Sequence, residues 1–153
     1  MLTFGLHYSN RAFAPIAAAQ WQADPNSVEH ISDSGNSVYR FRRNGQPLIL
    51  RLTDPEYRTA AENEGELQFV RHLAACGVAV AKPVPSEKGQ LVVPIHIGDA
   101  TLLASVVTVA PGTQVRRDSP TWGPKFFWEW GEALGKIHRA AQTFPQCDAE
   151  RRW

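Results

Sequence analysis

Apolar and polar residues alternate along the middle of the chain in a pattern that predicts β-strands. Two such runs, at residues 28–31 and 37–41, are joined by the polar residues 32–36, whose composition is typical of a turn. The pair Asn44–Gly45, which strongly favours a tight hairpin, then leads into an aliphatic run at residues 48–52. We therefore expect three successive antiparallel strands.

The third strand carries a cation, Arg51, among aliphatic residues. Alternation places Arg51, together with Ile49 and Thr53, on one face of the strand and its leucines on the other. An unpaired buried charge is costly, so Arg51 requires an anionic partner from the element that covers this face.

The segment 56–76 predicts that covering element, a helix that ends at Gly77, where a left-handed cap forms easily. Glu66 borders the apolar stripe of the helix, whereas Glu62 lies one turn earlier. Glu66 is therefore the acid best placed to reach the sheet. The stripe itself recurs at helical spacing and consists of Leu67, Val70, Leu73 and Ala74.

Two more strands follow this helix. Residues 78–85 are extended because of their two prolines. A strand is predicted at residues 91–95, and Pro94 indicates that it lies at an edge of the sheet or is bulged there. The continuous apolar run at residues 101–110 predicts a strand buried on both faces.

Helices flank the strands at both ends of the chain. An alanine-rich helix is predicted from Asn10 to Trp21, with Asn10 as candidate cap and the regular part beginning near Pro15. The last helix is expected to begin near Pro124. Its predicted buried face consists of Phe127, Trp130, Leu134, Ile137, His138 and Ala141.

This order of elements predicts an α+β fold with a five-stranded antiparallel sheet, one helix packed on it, and flanking N- and C-terminal helices. The connection at residues 111–123, rich in breakers, is the one plausible boundary. It separates residues 1–110 from the last helix and tail at residues 124–153.

Composition and charge exclude several classes of protein. The chain has 16 basic and 15 acidic residues and no block of like charge, so no nucleic-acid-binding arm is indicated. No apolar stretch is long enough to cross a membrane, and no N-terminal leader is apparent. Cys76 and Cys147 lie too far apart in sequence to indicate a disulfide framework, and the histidines lack metal-ligand spacing. We therefore expect a reduced, cytoplasmic protein.

Several segments, in this order, resemble the small lobe of the aminoglycoside-phosphotransferase and homoserine-kinase-like superfamily. They are Ser-Asp-Ser-Gly-Asn-Ser-Val-Tyr-Arg-Phe at 32–41, Leu-Ile-Leu-Arg-Leu at 48–52, the helix at 65–73 and the extended segment at 77–85. The segment 131–138 is similar to the first large-lobe helix of that family. The resemblance implies a kinase-like small lobe whose complete form uses ATP and Mg²⁺ to phosphorylate a small-molecule hydroxyl.

The resemblance also implies roles for individual residues. The turn made by Ser34, Gly35, Asn36 and Ser37 would close over the nucleotide phosphates, although such turns are also ordinary hairpins. Arg51 would take the place of the phosphate-binding lysine and Glu66 that of its partner, or the two would form a purely structural pair. The adenine hinge would fall at residues 107–110, which assigns Thr108, Val109 and Ala110 to nucleotide binding, or this end is simply a strand followed by a turn.

The family's catalytic loop, of the type His-Gly-Asp-x-x-x-x-Asn, and its later metal-binding aspartate do not occur in these 153 residues. We therefore assign no catalytic and no metal-binding residue. Two hypotheses remain open. The chain is a truncated phosphotransferase that retains the nucleotide-anchoring half, or it is a non-catalytic module that associates with another protein. In either case Phe127, Trp128 and Trp130 require a cover, for which a second copy of the chain is the expected candidate.

Overall fold

The structure is a computed structural model that describes residues 6–33, 35–110 and 112–145. The elements follow the predicted order of one helix, three strands, one helix, two strands and a final helix. They are α1 (Leu6–Ala19), β1 (Glu29–Asp33), β2 (Ser37–Arg43), β3 (Gln46–Thr53), α2 (Ala60–Ala75), β4 (Val92–Ile97), β5 (Ala100–Thr108) and α3 (Pro124–Ala141).

The strands form one antiparallel sheet in the order β1-β2-β3-β5-β4, which confirms the predicted fold class. β5 lies between β3 and β4, and its middle residues are buried on both faces, as predicted. β4 is an edge strand, and Pro94, which lacks an N–H to donate, lies within it. Arg51 lies in the middle of the sheet, opposite Val38 of β2 on one side and Ser105 of β5 on the other.

The predicted hairpin at Asn44–Gly45 is confirmed. Both residues have positive φ angles, 51° and 76°, as the favoured two-residue hairpin turn requires. Their N–H groups donate to the two carboxylate oxygens of Asp24, at 2.9 and 2.8 Å. A side chain from the α1–β1 connection therefore fixes the turn that sets the register of β2 and β3.

A helix covers each face of the sheet. α1 packs on the face that carries the leucines of β3, whereas α2 covers the face of Arg51. The core under α1 is the larger and includes Phe13, Trp21, Tyr39, Phe41, Leu50 and Val106. The core near α2 includes Leu67, Leu91, Val92 and Leu103.

The start of α1 differs from the prediction. The helix begins at Leu6, so Asn10 is not its cap and Pro15 lies inside it. Proline inside a helix removes one backbone hydrogen bond and costs about 3 kcal/mol. Here the apolar residues Phe13, Ala14 and Ala17 are buried against the sheet around that position. Burial of this face outweighs the local preference of proline for a first turn.

The start of α2 also differs, because the helix begins at Ala60 and not at residue 56. Thr59 and Glu62 form a capping box: the Thr59 side chain accepts from the N–H of Glu62, and the Glu62 carboxylate accepts from the N–H of Thr59. The predicted end at Gly77 is confirmed, with φ of 78°. The N–H of Val78 donates to Leu73 at 3.0 Å, as in a Schellman cap.

The extended segment before β4 adds a short pairing to the sheet. Pro83 lies opposite Val107 of β5, and the N–H of Val84 donates to the carbonyl of Val106 at 2.9 Å. The indole N–H of Trp21 in turn donates to the carbonyl of Val84 at 2.8 Å. This segment is thereby tied to both β5 and the end of α1.

The last helix begins at Pro124 as predicted, but its predicted buried face is wrong. Phe127 is 44% exposed, Trp130 55% and Leu134 42%, and the only buried residue of α3 is Ala140. The last turn of α3 contacts α2, whereas Phe126 and Phe127 at its start pack on Trp122 of the preceding connection and not on the core formed by the described residues. The remaining members of the predicted face are half-buried or exposed as well: Ile137, His138 and Ala141.

No helix within the described part of the chain combines the length and the apolar composition needed to cross a bilayer.

Candidate functional site

Arg51 and Glu66 form an ion pair between the sheet and α2. The Nη1 group of Arg51 donates to Oε1 of Glu66 at 2.8 Å, which confirms that Glu66 reaches the sheet. Their side chains are 26% and 28% exposed, so the pair is partly shielded from water. Glu66 can reach Arg51 because it lies next to Leu67, whose burial turns this side of α2 toward the sheet.

A second cation binds the same carboxylate. The Nη1 group of Arg58 donates to Oε2 of Glu66, so each oxygen of Glu66 has one arginine partner. Arg58 lies in the bend before α2, where its N–H donates to the carbonyl of Asp54 at 3.2 Å. The group of two arginines and one carboxylate has a net charge of +1.

The other terminal nitrogen of Arg51, Nη2, is buried and has no hydrogen-bond partner among the described residues. Leaving a buried donor of a charged group unpaired costs about 1–3 kcal/mol or more. Such a donor in a native fold is expected to have a partner, and an anionic oxygen is the strongest one.

Arg51 lines a cavity of about 330 Å³ between the sheet, α2 and the extended segment. The walls are predominantly aliphatic, and the polar side chains in them are those of Arg51, Glu66 and Ser105. An apolar pocket with a few convergent polar groups is the usual form of a small-molecule site. The aliphatic members are Val38, Ile49, Leu67, Val70, Val80, Ala81 and Val107.

The predicted phosphate turn lies at the same end of β2 and β3 as Arg51. Ser34 lies outside the described residues, and Gly35 is exposed with φ of 75°. Asn36 accepts a hydrogen bond from the Thr53 hydroxyl at 2.8 Å, which fixes the turn to the end of β3. Ser37 is buried and begins β2. The turn therefore stands beside the cavity end of the sheet, and its contact with phosphate stays a prediction.

The predicted hinge residues lie apart from the described cavity lining, which reaches Val107. β5 ends at Thr108 and not at residue 110, because Thr108 is the last residue that pairs with β3. The N–H of Thr108 donates to the carbonyl of Lys82 at 2.9 Å, so it is already used. Val109 and Ala110 are exposed beyond the sheet. Their role in adenine binding stays a prediction.

Tyr39 is buried on the opposite face of β2. Burial raises the pKa of the Tyr39 phenol above its usual value of 10.0, and the negative charge of Asp33 acts in the same direction. The Nε2 atom of His30 lies 2.9 Å from Oδ2 of Asp33. The imidazole ring of His30 also meets the ring of Tyr39 edge to face, with centroids 5.3 Å apart.

α2 has a second anchor at its C-terminal end, where α3 contacts it. The Nε2–H of His72 donates to the carbonyl of Ala140 at 2.9 Å, and the Thr143 hydroxyl lies 3.1 Å from the same nitrogen. The ring of Phe144 packs edge to face on Phe69 at a centroid distance of 5.1 Å. These contacts join the helix that carries Glu66 to the last helix of the chain.

No group of three or more histidine, cysteine or acidic side chains among the described residues is arranged to hold a metal ion. Glu66, the acid at the cavity, has both carboxylate oxygens occupied by arginines. The described residues therefore do not fit a resident metal site.

The sequence pattern did not single out every residue of the site. Strand alternation already placed Ile49 on the face of Arg51, and the same rule applied to β2 and β5 finds Val38, Ser105 and Val107. Arg58 lies in an irregular bend, where no periodicity indicates the direction of its side chain.

Comparison with known proteins places this geometry in a family. A family model described as the phosphotransferase enzyme family, with the short name APH, matches residues 27–153. The chain belongs to the phosphotransferase enzyme family. The match includes the sheet, α2 and α3, and it confirms the resemblance inferred from the sequence.

Individual proteins are also similar to the chain. Amicoumacin kinase of Bacillus subtilis (strain 168) is 33% identical over 129 residues, which are 84% of this chain and 38% of that protein. Homoserine kinase of Cupriavidus necator is 29% identical over 115 residues, 74% of this chain and 32% of that protein. The chain thus spans well under half of the length of these relatives.

The solved structure of amicoumacin kinase hAmiN, in complex with AMP-PNP, Ca²⁺ and Ami, has a TM-score of 0.81. Its sequence is 27% identical, and the match covers 94% of this chain and 45% of that one. The fold of the chain is therefore that of a kinase-like small lobe with an adjoining helix.

Proposed function

We propose that this chain is the nucleotide-anchoring part of an ATP-dependent phosphotransferase that acts on a small-molecule hydroxyl. The observation that carries the proposal is the buried Nη2 of Arg51, which lacks a partner among the described residues and belongs to a residue that lines the cavity. Membership of the phosphotransferase enzyme family and the likeness to a kinase bound to AMP-PNP support the same ligand class.

In this proposal the cavity holds the nucleotide between the sheet and α2. Nη1 of Arg51 stays bound to Glu66, and Nη2 donates to a phosphate oxygen. In kinases a lysine both pairs with the helix glutamate and binds phosphate, and here one guanidinium would do both. The aliphatic side chains of Val38, Ile49 and Val107 supply an apolar surface for the adenine ring. The turn at Gly35 offers backbone N–H groups to the phosphates.

The division of the chain follows from this assignment. Residues 1–110 form the nucleotide-anchoring lobe, residues 111–123 the linker that follows the predicted adenine hinge, and residues 124–153 the beginning of a further lobe. The metal that accompanies ATP would neutralise phosphate charge. A protein that uses ATP and has an exposed free thiol at Cys76 fits the reducing cytoplasm.

Isothermal titration of the purified chain with ATP·Mg²⁺ and with adenosine tests the nucleotide site. We expect ATP to bind about tenfold or more tightly than adenosine, because one charge-assisted hydrogen bond contributes roughly 1.5–3 kcal/mol. Arg51→Ala is expected to abolish this preference. Arg139→Ala, which removes an exposed arginine of α3, is the matched control and should leave it unchanged. Equal ATP binding by the wild type and Arg51→Ala would contradict the site.

A second candidate function rests on the exposed aromatic surface of α3. Phe127, Trp128 and Trp130 are 44%, 69% and 55% exposed, which is unusual for residues this large on one helix. We propose that, in the 153-residue chain on its own, a second copy covers this surface through a symmetric contact. Sedimentation equilibrium is expected to give a dimer that Trp130→Glu converts to a monomer, whereas a monomeric wild type would exclude it.

A further inference from the structure

The phosphate contact proposed above depends on an unusual pairing between Arg51 and Glu66. An arginine and a carboxylate often form a fork of two parallel hydrogen bonds, from two nitrogens to two oxygens. Here Arg51 makes one such bond, from Nη1 to Oε1 at 2.8 Å. Its Nη2 is left buried and without a partner among the described residues.

Arg58 binds the second oxygen of the same carboxylate. Its Nη1 donates to Oε2 of Glu66, the oxygen that a second bond of the fork would use. Building on the proposed nucleotide site, we propose that Arg58 is a positioning residue. By occupying Oε2 of Glu66, it restricts Arg51 to a single bond with Oε1 and keeps Nη2 of Arg51 available for a phosphate oxygen.

The backbone around Arg58 holds it in this place. The Asn63 side chain, 2% exposed, donates to the carbonyl of Arg58 at 3.3 Å and to that of Thr59 at 3.0 Å. The N–H of Arg58 is bound to the carbonyl of Asp54 at 3.2 Å. The backbone is thus held by hydrogen bonds on both sides of Arg58, which fixes the position of its Cα next to α2.

A direct contact between Arg58 and phosphate is the competing explanation. Arg58 is not among the described residues that line the cavity, whereas Arg51 and Glu66 are. Its side chain is 40% exposed, compared with 26% for Arg51. Arg58 therefore acts on the ligand through Glu66.

Titration of ATP and adenosine against a double-mutant cycle tests this inference. Arg58→Ala allows the fork to form, so we expect ATP affinity to fall about tenfold while adenosine affinity stays unchanged. In the Glu66→Gln background the amide has one acceptor oxygen and no fork can form. Arg58→Ala is expected to cause no further loss there.

Two matched variants test whether the charge at residue 58 matters because of its place beside Glu66. Arg58→Lys places an ammonium group on Oε2 of Glu66 and is expected to retain ATP affinity within about twofold. Arg71→Ala removes an exposed arginine from α2, the helix that carries Glu66, and it should leave the ratio of ATP to adenosine affinity unchanged. A common loss for ATP and adenosine in Arg58→Ala would indicate a merely structural role and overturn the inference.

The failure of the nucleotide site and that of the positioning role give different results. If the wild type shows no preference for ATP over adenosine, the proposed function fails, whatever Arg58 does. A crystal structure of Arg58→Ala without nucleotide shows the position of the Arg51 side chain directly. A fork between Arg51 and Glu66 is expected in it. A single bond that persists in this variant, or an equal tenfold loss from Arg58→Ala in the Glu66→Gln background, would overturn the positioning role.

Discussion

Replacing Trp21 by phenylalanine tests whether α1 and the extended segment belong to one cooperative unit. Trp21 has no exposed surface, and its indole N–H donates to the carbonyl of Val84 at 2.8 Å. Val84 in turn binds Val106 of β5 through its N–H at 2.9 Å. Phenylalanine keeps most of the apolar contact but removes the donor.

The expected cost follows from these contacts. The Val84 carbonyl is partly buried, so the loss of its donor costs about 1–2 kcal/mol, and the smaller ring leaves a gap worth roughly 1 kcal/mol more. We therefore expect Trp21→Phe to lower the free energy of unfolding by about 2–3 kcal/mol. For a chain of this length that corresponds to a fall in Tm of roughly 4–12 °C.

Urea unfolding followed by far-UV circular dichroism measures the change, provided that the slope with denaturant stays the same. Tyr57→Phe likewise removes the polar group of an aromatic side chain, at a residue that is 73% exposed and lies outside the proposed dimer contact, and it should change the free energy of unfolding by less than about 0.5 kcal/mol. A loss below about 1 kcal/mol for Trp21→Phe would refute the assignment of Trp21 as a structural tie.

Two further predictions concern glycine and tyrosine. Gly77→Ala places a side chain at φ of 78° and should destabilise the chain by about 1 kcal/mol. Gly131→Ala lies in open space on α3 and should stabilise the chain slightly. A change in Tm of the same sign for both variants would contradict the assignment of Gly77 as the cap of α2. Burial, followed by Asp33, raises the pKa of Tyr39, so its contribution to stability is complete below about pH 10 and is lost as pH rises through the folded pKa. Urea unfolding between pH 8 and 11 should therefore show a steeper loss for the wild type than for Tyr39→Phe, and parallel curves would refute the shift.

Much of the fold was predictable because local chemistry and burial agree. The turn at Asn44–Gly45 and the end of α2 at Gly77 both require positive φ angles that those residues adopt at low cost. Pro15 was misleading because its local preference opposes the burial of α1 on the sheet. The start of α2 was predicted too early, although Thr59 and Glu62 have the spacing of a capping box.

The candidate site was predictable only in part. The pairing of Arg51 with Glu66 follows from one strand face and one helix stripe, which are periodic and therefore visible in the sequence. Arg58 reaches Glu66 from a bend, where direction depends on tertiary contacts. The exposure of Trp130 agrees with the expectation that the aromatic residues of α3 need a cover, although an apolar stripe does not indicate which element or partner covers it.

Because of the contact between His72 and Ala140, α2 is anchored at two places. One end holds Arg51 through Glu66, and the other holds the last turn of α3 through the imidazole. Free-energy coupling between two sites is reciprocal. Where a ligand in the cavity and a partner on α3 influence each other through α2, each therefore changes the affinity for the other by the same factor.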